Sequence, residues 1–96
     1  MKNIYDISTF VPVLTIQAVT EKLVEREKKF RKSKHISQVA LAKMSGVSYA
    51  SIRRFESTGE ISLSSLLKIA NVLNCLEDFN QVFKTPIPNS LKDYNL

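Results

Sequence analysis

Apolar positions along the chain recur at three- and four-residue spacing in five blocks, a period that predicts helices rather than strands. The most regular pair of blocks lies between residues 37 and 57. Ser37 is placed to cap a helix whose inward face carries Val39 or Ala40, Leu41 and Met44. Gly46 follows where a sharp corner needs a residue that adopts positive φ cheaply. Ser48 can cap the next helix, with Ile52, Phe55 and Glu56 on its inner side. That leaves Tyr49, Ala50, Ser51, Arg53 and Arg54 on or near the outer side.

The flanking blocks extend the same rule. Thr15 caps a long first helix that runs to Ser33 or Lys34, with Ile16, Val19, Leu23 and Phe30 as its inner stripe, interrupted by Arg26 and Glu27. His35 and Ile36 make the link to the central pair, Ile36 filling the gap between helices. Beyond that pair, Ser57 to Ile61 is a loop with Gly59 as the stop signal. Ser62 caps a fourth helix through Leu63, Leu66, Leu67, Ile69, Ala70 and Leu73, apolar around much of its girth and so a buried strut. Asn74 and Cys75 turn the chain into a short fifth helix, Leu76 to Phe83, with Phe79, Val82 and Phe83 inward. Residues 1–14 form an arm: the Ile4–Ile7 run either pairs with a second copy or frays while Phe10 and Leu14 pack on the domain. Pro86 and Pro88 make residues 84–96 an extended tail. The expectation is an all-α, compact five-helix domain over residues 15–83.

Composition bounds what this domain does. Ninety-six residues make one domain with a modest core. A single cysteine, Cys75, excludes an intrachain disulfide and a thiolate cluster, and its apolar neighbours suit a small buried hydrophobe. His35 has no Cys, His or acid at metal spacing, so a loop position that ends a helix outweighs a ligand or base. No cofactor or metal is implied. No apolar run reaches the roughly 20 residues of a membrane span, and no signal-peptide pattern opens the chain, so a soluble, cytoplasmic protein is expected.

The net charge of +5 matters through its placement: Lys22 to Arg54 holds ten Lys or Arg against Glu25 and Glu27. Six of the fourteen basic residues fall between Arg26 and Lys34. Such a concentration is the footprint of a polyanion binder, although a solvated face and favourable charge at a helix carboxyl end account for it equally well.

Two short helices joined at a glycine, the second of them basic, read as a helix-turn-helix. The run Ser37-Gln38, Leu41-Ala42, Gly46-Val47-Ser48, Ile52, Glu56, Ser62-Leu63, Leu66 and Ile69-Ala70 closely resembles the Cro/C1-type (XRE) helix-turn-helix family, over about residues 20–80. Within it, Arg54 to Leu63 resembles antitoxin-type regulators, including relatives of HipB. The resemblance implies a five-helix, lambda-repressor-like bundle that dimerises and grips pseudo-palindromic double-stranded DNA.

The resemblance also implies roles. Gln38 stands where a glutamine touches phosphate and braces the reading helix. Ser37 and Ser48 match phosphate-contact positions, though as caps alone they need no DNA. Tyr49, Ala50 and Arg54 match base-facing positions, with Arg54 the best candidate for a bidentate pair with guanine, worth roughly 1–3 kcal/mol of discrimination. Tyr49 departs from the glutamine or arginine common there, and a thymine methyl or a phosphate are both open to it. Ser51 suits base or backbone; Arg53 suits phosphate or solvent. Arg31 and Glu56 match a structural ion pair. Lys28, Lys32, Lys34 and Lys43 are placed to neutralise phosphates, with plain solvation as good an account of Lys43.

Three functions of different class follow. The first is a DNA-binding transcriptional regulator, dimeric, nucleoid-associated and repressing its own operon. The second, by family analogy, is an antitoxin that neutralises a co-encoded HipA-like kinase, with Tyr5, Ile87, Leu91 and Tyr94 as possible anchors. An enzyme is the third, and it has no support in the sequence: one histidine, no phosphate-cradling glycine loop and no acid pair in an evident cleft.

Overall fold

A computed structural model describes residues 14–88. Five helices follow one another: α1 (Ile16–Ser33), α2 (Gln38–Ser45), α3 (Tyr49–Thr58), α4 (Leu63–Val72) and α5 (Leu76–Phe79). No strand occurs among the described residues. The fold is all-α, with α2 packed on both α3 and α4, α1 packed on α3, and α5 on α4.

Four of the five starts share one device. The hydroxyls of Thr15, Ser37, Ser48 and Ser62 accept from the backbone N–H three residues on, at 3.0 to 3.1 Å. Each such cap satisfies a donor the helix leaves without a partner, worth about 1 kcal/mol. The stops divide into two kinds. Gly46 and Gly59 end α2 and α3 at φ of 80° and 85°. His35 and Asn74 take the same left-handed geometry after α1 and α4, at 58° and 62°. There the next residue's N–H reaches back, Ile36 to the Arg31 carbonyl at 3.1 Å and Cys75 to the Ala70 carbonyl at 2.8 Å. His35 therefore serves as a helix terminator.

Leu41, Val47, Ile52, Ile69 and Leu73 form the core, with Ile36, Ala42, Ile61, Val72 and Cys75 packed against it. Phe55, Ala70 and Val24 are buried as well. The Cys75 thiol is half-buried, donates to the Leu73 carbonyl, and is pushed up in pKa by burial and then by Asp78.

Several expectations about buried faces do not hold. Ile16 is 88% exposed, and Val19 and Phe30 are also exposed. The face of α1 turned inward carries Val24, Glu27 and Arg31 instead. Because α1 has α3 as its neighbour, its buried face is set by what α3 offers, and α3 offers the carboxylate of Glu56 rather than an apolar groove. On α2, Leu41 alone is buried, while Val39 and Met44 are exposed; on α4, Leu63 is exposed although Ile69 and Ala70 are sealed. The last helix stops at Phe79, and Val82 and Phe83 face solvent rather than the core. Leu14 is exposed too, and residues 84–88 form no helix. The expectations for residues 1–13 and 89–96 lie outside the described residues. Among the described residues, no helix is long and apolar enough to cross a membrane.

Candidate nucleic-acid interface

The corner between α2 and α3 is three residues long, and each has a task. Gly46 reverses the chain, buried Val47 pins the corner to the core, and Ser48 caps α3. The Ser45 hydroxyl donates to the Leu41 carbonyl and accepts from the Val47 N–H, tightening the bend from inside. With Ile52 and Phe55 at 0% and 1% exposure, the rotation of α3 about its axis is fixed. Its opposite side then presents Tyr49, Ala50, Arg53 and Arg54 to solvent, with Ser51 half-buried beside them.

These side chains have defined partners. The Arg53 guanidinium lies 5.7 Å from the centre of the Tyr49 ring, a cation–π arrangement along one edge of α3. Arg54 donates to Glu60 at 2.6 Å, an exposed pair at the far end of the helix. The Ser48 hydroxyl caps α3 and also bonds the Ser51 hydroxyl at 2.8 Å. Ser37 caps α2 and is exposed.

Behind this surface lies a polar network. Arg31 reaches across from α1 and donates through Nε and Nη2 to both oxygens of Glu56, at 2.8 Å each. Its Nη1 donates to the Ile36 carbonyl, tying the link after α1 into the same cluster. Gln38 donates to Glu56 Oε1 at 2.9 Å, so one carboxylate joins α1, α2 and α3. Burial pushes Glu56 up, but the hydrogen bonds from Arg31 and Gln38 outweigh it and hold its pKa below the ordinary value. The bond to Glu56 raises Arg31 in turn.

Lys28 and Lys32 of α1 line an open cleft of about 570 Å³ together with Gln38, Ala50, Arg53 and Arg54. Lys34 and Lys43 are exposed. With Lys28, Lys32, Arg53 and Arg54 on its lining, the cleft is cationic, and a backbone phosphate is the group such a groove suits.

Two residues of the site escape a reading from the sequence alone. Glu60 holds Arg54, and Glu27 is buried beside Glu56. Glu27 follows Val24 and precedes Arg31 at helical spacing, which was the available signal; an acid on a buried face is discounted by any apolar-stripe rule.

A capped corner, an anchored second helix and a basic outward face define a helix-turn-helix DNA-binding domain. Residues 28–79, more than half of the chain, match the family model described as Helix-turn-helix, and the chain belongs to that family. The match supports the Cro/C1-type resemblance, and the family is a DNA-binding regulatory domain rather than an enzyme class. It begins within α1, so the amino-terminal part of that helix lies outside it. No curated protein and no solved structure matches the chain.

Proposed function

We propose that this protein is a sequence-specific transcriptional regulator that grips a palindromic operator as a dimer and represses its own operon. The observation that carries this reading is the outward face of α3, where Tyr49, Ala50, Arg53 and Arg54 are exposed over the anchors Ile52 and Phe55. In this arrangement α3 enters the major groove and α2 crosses the backbone, with Gln38 and the hydroxyls of Ser37 and Ser48 near phosphates. Arg54 reads guanine, and Lys28 and Lys32 add affinity without sequence information. One such module buries too little surface for tight specific binding, which is the reason for a dimer. Footprinting on the DNA upstream of its own gene tests this. Protection of two half-sites about one helical turn apart is expected; no protected sequence at any protein concentration would overturn it.

A second role, as the antitoxin of a HipA-like kinase, is favoured by a separate observation. Phe83 is 97% exposed and Ile87 78%, two apolar side chains after α5 that the described domain leaves uncovered. Co-purification with the product of the neighbouring gene, lost on Phe83→Ser plus Ile87→Ser, is the expected result. Undiminished rescue of toxicity by that variant would remove these residues from the role.

A further inference from the structure

Glu27 is 8% exposed, and neither of its carboxyl oxygens has a hydrogen-bond partner among the described residues. A buried carboxylate left this way is costly, by several kcal/mol in principle, and calls for a compensating arrangement. Arg31, one turn along α1, does not supply it. Three of its N–H groups are spent on Glu56 and the Ile36 carbonyl. Glu27 thus faces Glu56, with two acids and a single guanidinium between them.

Protonation resolves the conflict. A carboxylic acid has an O–H to donate, and Glu56 beside it is an acceptor with lone pairs to spare. We propose that Glu27 is held as the neutral acid, donates to Glu56, and so positions the Arg31–Glu56–Gln38 network that sets α3 for DNA. Its first half, the protonated acid, stands without any DNA; its second half rests on the DNA-binding function proposed above.

The surrounding charges agree in direction. Burial, then the neighbouring Glu56 carboxylate, push Glu27 up to about 8, while Arg31 and Lys28 offset this only in part. Those are the charged groups that face it: Arg31 and Lys28 from α1, and Glu56 from α3. Gln38, from α2, is uncharged. With Glu27 neutral, the buried cluster holds one positive and one negative charge. Ionised, it carries an uncompensated negative charge in the seam between α1 and α3. Because the folded pKa lies above the ordinary 4.5, the stability this group contributes is complete below about 4.5 and is lost as pH rises towards 8.

The test uses the full chain and two independent readouts. Carbon-13 NMR titration of the side-chain carboxyls of the wild-type protein reads Glu27 directly, and a midpoint far above the other glutamates is expected. Thermal unfolding between pH 5 and 9 compares wild type with Glu27→Gln, whose amide is a donor at every pH. The wild-type Tm falls across this range, and the fall is largely absent in the variant. For DNA, a half-unit rise of the Glu27 titration in the complex means about a threefold loss of wild-type affinity from neutral pH to above 8, absent in Glu27→Gln. An ordinary glutamate midpoint, or a wild-type pH slope retained in Glu27→Gln, overturns the proposal. If the wild-type protein binds no DNA, the functional reading fails, while NMR and unfolding still decide the state of Glu27.

Discussion

Arg54 and Glu60 are joined at 2.6 Å, so the arginine proposed to read a base is held by an acid of the same chain. Both side chains are about two-thirds exposed, and a pair in that setting contributes at most about 1 kcal/mol. Arg54 can exchange Glu60 for a guanine edge at little cost. In the proposed complex, Glu60 stays close to the duplex as a repelling charge.

Glu60→Gln is therefore expected to tighten operator binding by about two- to fivefold, the equivalent of up to about 1 kcal/mol. Fluorescence anisotropy titration checks this. Unfolding stability should hardly change, since only an exposed pair is removed.

Arg31 and Glu56 present the opposite case, because both are buried. Arg31→Met leaves Glu56 without its main partner and removes the guanidinium that faces both Glu27 and Glu56. A loss of roughly 3–5 kcal/mol is expected. Urea unfolding should show it plainly, whereas Arg53→Ala, on the exposed side of the adjoining α3, should stay within about 0.5 kcal/mol.

The two glycines that end α2 and α3 share a left-handed backbone but not their surroundings. A Cβ on Gly46 meets nothing within 4 Å, while one on Gly59 runs into the side chain of Thr20 on α1. Gly46→Ala should cost about 1–2 kcal/mol from backbone strain alone. Gly59→Ala should cost distinctly more, because the Thr20 side chain, hydrogen-bonded to the Ile16 carbonyl, or α1 itself must give way; pairing it with Thr20→Ser should recover part of the difference. Thermal denaturation of the three variants orders them.

Lys28 and Lys32 line the cleft beside α3 and are expected to meet phosphates. Replacing both with alanine should lower the slope of log affinity against log salt by about one for each phosphate no longer neutralised, without altering the preference among operator sequences. Titrations at several salt concentrations separate this from a defect in base reading.

The central corner was legible because local rules agree there. Serine caps, a glycine at each stop and apolar anchors at Ile52 and Phe55 all point to one geometry. The outer helices were less legible, since their buried faces depend on partners distant in the chain. Ile16, Val19 and Phe30 make a good stripe by periodicity, yet α1 turns Glu27 and Arg31 inward to meet Glu56. Pairing of charges across elements leaves no mark in the hydropathy of either. The same limit hid Glu27, and the premature stop of α5 at Phe79 lacks any glycine or proline to announce it.

The most direct measurement is operator affinity of Arg54→Ala combined with Tyr49→Ala, set beside the unfolding stability of the same variant. With the outward side of α3 lying in the groove, specific affinity should fall by at least about tenfold while the urea midpoint stays in place. A footprint kept at full strength by this variant would mean that DNA meets the protein through some other surface.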